Sequence, residues 1–141
     1  MTCPRYILAI DQGTTSTKSV VLSDDGSVVA TSLPERFEIR ASYPHPGWVE
    51  YSPDRMLETV CQSAEAAIRR AGIDARDIVA LGLANQGETV IAFDADSGRP
   101  VYPAISWQDR RAESLASHFR VEGLQERVET VTGLRLDPYF S

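Results

Sequence analysis

Short apolar runs at Tyr6 to Ile10, Ser19 to Leu22 and Val28 to Thr31, the last two separated by Asp24-Asp25-Gly26, predict three strands with a hairpin turn between the second and third. The residues from Pro34 to Trp48 carry no period, and Tyr43-Pro44-His45-Pro46-Gly47-Trp48 is their stiffest part. A helix follows, with Ser52 placed to cap it, Pro53 at its first position and Asp54 complementing its dipole. Met56, Leu57, Val60, Cys61, Ala64, Ile68 and Ala71 recur at helical spacing as one apolar face, and Gly72 stops the helix. Ile78 to Ala84 is almost continuously apolar, as expected of a strand covered on both faces. Val90 to Phe93 and Arg99 to Tyr102 flank the Asp94–Gly98 turn as a hairpin. A second helix runs from Asp109 to Arg120 until Gly123, and Leu124, Val128 and Val131 mark a third that ends at Gly133.

The first strand leads into Asp11-Gln12-Gly13-Thr14-Thr15-Ser16-Thr17-Lys18, which holds a carboxylate, a glycine, consecutive hydroxyls and a cation. Hydroxyls and turn N–H groups donate to phosphate oxygens, an ammonium neutralises their charge, and a carboxylate anchors hydrated Mg²⁺. The segment lacks the G-x-x-x-x-G-K-[ST] spacing of a P-loop, and Lys18 opens a β-branched run instead of a helix. The loop is therefore the bend between two antiparallel strands, where Gly13 lets the backbone come close to an anion. Three antiparallel strands, a helix, a strand and further helices around such a bend predict an α/β domain of the ribonuclease-H-like, actin-like ATPase class. The chain then supplies its N-terminal part, a mixed sheet with flanking helices.

Composition narrows the partners. A formal charge of −6 and the absence of a basic stripe argue against nucleic acid, and no stretch approaches the ~20 apolar residues of a membrane span. The first residues lack an export pattern, so the expected compartment is the cytoplasm. Cys3 and Cys61 have no metal-ligand spacing and read as reduced thiols, Cys61 on the apolar side of the first helix. His45 and His118 stand far apart without carboxylate partners nearby and read as surface or helix-face residues. Lys18 is the single lysine among fourteen basic residues.

Five segments in order, Ile10–Ser16, Tyr43–Glu50, Asn85–Thr89, Ile105–Arg111 and Thr132–Ser141, resemble the N-terminal part of the glycerol kinase-like members of the FGGY carbohydrate kinase family. The resemblance covers residues 1–141 as the incomplete N-terminal part of that family's first domain, with the second domain absent. It implies ATP-dependent phosphorylation of a terminal hydroxyl on a polyol or sugar, with ATP and Mg²⁺ as cofactors. Its partners would be a small-molecule polyol or sugar, with neither nucleic acid nor membrane, and a homo-oligomeric full-length enzyme is among the assemblies it allows. Asp11 looks like the metal-positioning carboxylate, and Thr14, Thr15 and Ser16 like the phosphate-contacting loop. Lys18 stands where glycerol kinases carry arginine, so a point charge replaces a bidentate fork. Glu88, Trp107 and Tyr139 resemble substrate-contacting residues.

Gly87 departs from the pattern, because glycerol kinases hold an arginine there beside the glutamate. Losing hydrogen bonds to a charged group, worth about 1.5–3 kcal/mol each, weakens glycerol binding and empties space for a longer four- or five-carbon polyol or ketose. Glycerol and these longer substrates are equally weighted expectations. The resemblance places the general base, an aspartate, beyond residue 141. This chain by itself is accordingly expected to be nearly inactive, since such a base contributes about 10²–10⁴-fold. Two other readings stay open: an actin- or chaperone-type ATPase segment sharing the Asp-x-Gly-Thr-Thr loop, and a non-catalytic truncated binding module.

Overall fold

In the computed structural model, residues 5–140 are described, so the expectation for Cys3 lies outside the described residues. The chain divides into two compact units, one of residues up to Arg40 together with Asp54–Gln86, the other of Ala41–Pro53 together with Gly87 onward.

The first unit is a mixed sheet with one helix. Strand β1 (Tyr6–Gln12) pairs antiparallel with β2 (Ser16–Ser23), which pairs antiparallel with β3 (Val28–Thr31) and with the short β4 (Phe37–Glu38). On its other side β1 pairs in parallel with β6 (Ile78–Asn85), giving the order β3-β2-β1-β6. Alternation along the strands buries Leu8, Ile10 and Gln12 of β1 and Thr17, Ser19 and Val21 of β2, while Asp11 and Lys18 fall on the opposite face.

Helix α1 (Pro53–Ala71) covers the buried side, and Ala67 closes a core with Leu8, Ile10 and Val21. Met56 is buried and Val60, Ala64, Ile68 and Ala71 pack against this core, as the predicted apolar face requires, but Thr59, Ser63, Ala66 and Ala67 are buried as well, while Leu57 is 65% exposed and Cys61 is exposed instead of packed. The sheet supplies the reason. β2 presents hydroxyls toward the helix, so hydroxyls answer them: Thr17 Oγ1 and Thr59 Oγ1 lie 2.9 Å apart, and Ser63 Oγ donates to Ser19 Oγ at 2.9 Å. Ser19 N–H donates in turn to Ser32 Oγ at 3.1 Å. Buried hydroxyls paired in this way contribute about 1 kcal/mol each, whereas unpaired ones would cost more than that.

Strand β6 differs from expectation. It pairs only with β1 among the described residues, and Val79, Leu81 and Leu83 are 50%, 61% and 59% exposed instead of covered on both faces. Within this unit Ile78, at the start of β6, packs against the core of β1, β2 and α1, but the exposed Val79, Leu81 and Leu83 leave a need for burial unmet.

In the second unit β5 (Glu50–Tyr51) pairs antiparallel with β7 (Ala104–Ile105). The hairpin expected around Asp94–Gly98 is present in short form, with Asp94 N–H donating to Arg99 O at 2.8 Å and Val101 N–H to Ala92 O at 3.0 Å around the Phe93–Pro100 bridge, and Pro100 and Pro103 have no N–H to extend it into a regular ladder. Helix α2 spans Glu113–Val121 rather than beginning at Asp109, since Asp109 Oδ1 accepts the Arg111 N–H and holds that stretch in a turn. Helix α3 (Leu124–Thr132) ends at Gly133, whose φ of 74° forms the left-handed cap that glycine favours.

Candidate active site

The phosphate loop is tighter than the sequence suggests. β2 begins at Ser16, so Ser16 and Lys18 belong to the strand and only Gly13, Thr14 and Thr15 form the bend. Gly13 N–H donates to Ser16 O at 3.1 Å, and Gln12 Nε2 donates to Gly13 O at 2.9 Å. Behind the loop, Gln86 N–H donates to Gln12 O and Ile39 N–H to Thr15 O, each at 2.9 Å. These bonds hold the bend without using the hydroxyls of Thr15 or Ser16.

A Cβ on Gly13 would stand 3.1 Å from Ser16 O, so any side chain there pushes the loop carbonyl aside. Gly13→Ala is expected to lower stability by about 1 kcal/mol and to weaken nucleotide binding, read by thermal unfolding and by nucleotide titration of the full-length protein. An unchanged affinity for nucleotide would mean that the loop does not approach the ligand.

Asp11 and Lys18 are register partners across β1 and β2, on the sheet face opposite α1. They border an open hollow of about 490 Å³ floored by Ala9, Val20, Gly82 and Ala84. Small side chains leave that floor flat, so one anionic and one cationic group stand at its rim. Among the described residues no group of three or more His, Cys, Asp or Glu could hold a metal alone. That donor set fits Mg²⁺, which is commonly held by one or two carboxylates, waters and substrate phosphates, and not a cation needing an all-protein cage.

The residues expected at the substrate lie in the second unit. Glu88 has φ 63°, the single non-glycine with positive φ among the described residues, and such backbone costs about 1–3 kcal/mol and clusters at ligand sites. Nothing lies within 4 Å of a Cβ built on Gly87, so the position accepts a side chain and leaves open space without one. Trp107 is half-buried, its backbone N–H donates to Thr89 Oγ1 at 3.4 Å, and its ring meets Tyr139 edge to face at 5.6 Å. The structure thus groups Asp11, Thr14, Thr15, Ser16 and Lys18 in one unit, and Gly87, Glu88, Trp107 and Tyr139 in the other.

Sequence reasoning gave no role to a buried ionic cluster between β5 and α2. Asp109, 3% exposed, accepts Val49 N–H at 2.6 Å and the Nε and Nη2 groups of Arg111 at 2.8 Å each. Arg111 also donates to Glu50 Oε1 at 2.8 Å and lies 3.8 Å over the Trp48 ring, and Tyr102 OH donates to Glu50 at 3.1 Å. Burial raises the Asp109 pKa, but the Arg111 side chain and the two backbone N–H groups outweigh it and hold the carboxyl below the usual range. Asp109 likewise raises the pKa of Arg111, so the guanidinium stays charged. The signal was present in two charged residues flanking Arg110 and one following Val49, but their pairing across sixty-one positions is invisible to local spacing.

His45 packs edge-on against Trp48 at 4.8 Å, and His118 pairs with Glu122 at 3.2 Å on the surface of α2, so neither belongs to a ligand cluster. No helix among the described residues is long and apolar enough to cross a membrane.

The family described as the FGGY family of carbohydrate kinases, N-terminal domain, matches residues 6–141. Glycerol kinases of Methylibium petroleiphilum and Sinorhizobium fredii are each 46% identical over 136 residues, covering 96% of this chain and 27% of their own length. The crystal structure of Plasmodium falciparum glycerol kinase with ADP superposes with a TM-score of 0.84 at 28% identity, over 98% of this chain and 27% of that one. Gluconate kinase from Lactobacillus acidophilus, at 24% identity and a TM-score of 0.85 over 96% of this chain and 26% of that one, shares the fold. The chain spans about a quarter of the length of these relatives. The fold is the expected one, the N-terminal part of an actin-like ATPase domain with a mixed sheet and flanking helices.

Proposed function

We propose, from the premise that this chain belongs to the FGGY family of carbohydrate kinases, that it forms the opening part of an enzyme transferring the terminal phosphoryl group of ATP to a terminal hydroxyl of a polyol or sugar. The observation that carries the proposal is the short bend at Gly13–Thr15, with Asp11 and Lys18 in register beside it. Thr14, Thr15 and Ser16 donate to phosphate oxygens, and Lys18 offsets their charge. Asp11 would hold hydrated Mg²⁺, which when bound would supply charge neutralisation at the phosphates. Phosphoryl transfer of this kind depends on positioning and electrostatics, and both are functions this loop can supply.

Glu88 accepts hydrogen bonds from substrate hydroxyls, and Trp107 and Tyr139 present ring faces and a hydroxyl to the carbon chain. Glycerol and longer four- or five-carbon polyols or ketoses are the candidate substrates, and the open space at Gly87 supports the longer ones. Gly87→Arg fills that space with a guanidinium and is expected to shift kcat/KM toward glycerol by about tenfold relative to erythritol or a pentulose. Initial rates of the purified full-length protein across such a panel test both ideas. Absence of transfer from ATP to any of them ends the kinase reading, and a strong wild-type preference for glycerol ends the longer-substrate reading alone. The small-molecule partner, the cytoplasmic setting and the oligomeric state belong to the same proposal.

A further inference from the structure

The Leu136–Phe140 segment that carries Tyr139 is held mainly by polar contacts. Asp137 Oδ1 accepts the Tyr139 N–H at 2.9 Å and also a branch of the Arg110 guanidinium at 2.9 Å. The other branch of Arg110 pairs with Glu113, which also accepts Arg120 at 2.5 Å. Arg120 in turn donates to Leu136 O at 2.6 Å, and Gln125 Oε1 accepts Leu136 N–H at 3.3 Å. The backbone of Leu136, before Asp137, is therefore held by side chains from α2 and α3, and the Tyr139 N–H, after it, by the Asp137 carboxylate that Arg110 engages.

Arg110 stands near Trp107 in sequence and near Tyr139 in space. It lies three residues after Trp107, its own N–H donates to Gly47 O at 2.7 Å, and its side chain ends on the carboxylate that orders Tyr139. Tyr139 meets Trp107 at 5.6 Å on one side and Phe140 at 4.8 Å on the other, both edge to face. The ion pair that sets this arrangement is solvent-accessible, with Arg110 49% and Asp137 36% exposed, so it adds little to global stability. Its bearing is geometric: the carboxylate it engages also accepts the N–H of Tyr139, whose ring meets Trp107.

We propose, resting on the kinase reading above, that Asp137 and Arg110 are positioning residues that set the Tyr139 ring against Trp107 and so determine how tightly the substrate carbon chain is held. The Tyr139 N–H holds the Asp137 carboxyl below its usual range, in keeping with an ionised acceptor at neutral pH. An aromatic corner ordered by hydrogen bonds before substrate arrives avoids the loss of affinity that ordering it on binding would bring. The residues that touch substrate stay those already named; Asp137 and Arg110 act through Tyr139.

The test uses the full-length protein, with initial rates over the polyol and ketose panel and thermal unfolding for the wild type, Asp137→Ala, Asp137→Asn and Tyr139→Ala. Asp137→Ala is expected to raise KM about tenfold with kcat within about twofold and the unfolding midpoint nearly unchanged. Asp137→Asn keeps an oxygen for the Tyr139 N–H and is expected to recover most of that loss, and Tyr139→Ala should raise KM at least as far. A wild-type KM in Asp137→Ala alongside a raised KM in Tyr139→Ala overturns the positioning role and leaves the kinase reading in place. A large drop in unfolding midpoint for Asp137→Ala, or no recovery in Asp137→Asn, marks the residue as structural and overturns the proposal as well. A wild-type KM in Tyr139→Ala removes the purpose of the positioning, and a wild type that phosphorylates nothing in the panel removes the kinase reading and this inference with it.

Discussion

Replacing Asp11 by Asn in the full-length enzyme is expected to lower kcat by about 10²-fold or more, with a much smaller change in the KM for the polyol. The reasoning starts from the sheet. Asp11 lies on the strand face away from α1, in register with Lys18, above a floor of Ala9, Gly82 and Ala84 that offers no second carboxylate. A lone carboxylate cannot hold Mg²⁺ by itself, but it can orient a hydrated ion whose other ligands are phosphate oxygens. Asparagine keeps the size and one oxygen while removing the charge, so the loss reports electrostatics and not packing. Because Asp11 is exposed, stability should change little, and unfolding midpoints of the two proteins should agree. Steady-state rates at saturating polyol decide the point: a kcat close to wild type would show that the metal is positioned elsewhere.

The second large effect is on stability. Asp109→Ala is expected to destabilise the protein by about 3–5 kcal/mol, because it leaves the Arg111 guanidinium beside Trp48 with half of its partners removed and the Val49 N–H without its acceptor. By contrast Asp74→Ala, which breaks an ion pair with an Arg76 that is 89% exposed, should change stability far less. Denaturant titration of the two variants gives the comparison, and equal effects would contradict the account. The pH dependence carries a definite sign. The folded pKa of Asp109 is depressed, so its contribution is fully present above the ordinary aspartate range and is lost as pH falls through the lower folded value. Wild type should therefore lose stability on acidification through that window, and Asp109→Ala should lose less.

The elements that depend on local chemistry were legible in the sequence. Gly123 and Gly133 bound α3, the Asp24-Asp25-Gly26 turn joins β2 to β3, and the polar bend after β1 is where the hydroxyl-rich segment placed it. What escaped depends on partners distant in the chain. The apolar face of α1 packs on the core except at Leu57 and Cys61, and what the pattern lacks is the burial of Thr59 and Ser63 against the hydroxyls of Thr17 and Ser19, because a hydropathy pattern counts hydroxyls as surface. The two-residue strands β4, β5 and β7 are too short to show a period of two. β6 was read correctly as a strand and wrongly as covered, since apolar composition records what a strand would pack against and not whether it is there.

The candidate site divides in the same way. Asp11, Gly13, Thr14, Thr15, Ser16 and Lys18 are contiguous, and their residue types suggest phosphate chemistry without any knowledge of the fold. Glu88, Trp107 and Tyr139 are ordinary residues in sequence. The resemblance marks them by the motifs they sit in, and the left-handed backbone of Glu88 and the edge-to-face contact of Trp107 with Tyr139 add what residue type alone does not show. Glu50, Asp109 and Arg111 form one buried cluster that no short motif describes.

The most direct test of the central claim, that the bend after β1 grips the phosphates of ATP through a metal beside Asp11, is a crystal structure of the full-length enzyme with a non-hydrolysable ATP analogue and Mn²⁺. The account predicts an anomalous Mn²⁺ peak next to the Asp11 carboxylate, directly or through one water, with phosphate oxygens against Thr14, Thr15 and Ser16. A triphosphate and Mn²⁺ bound away from this bend would contradict it.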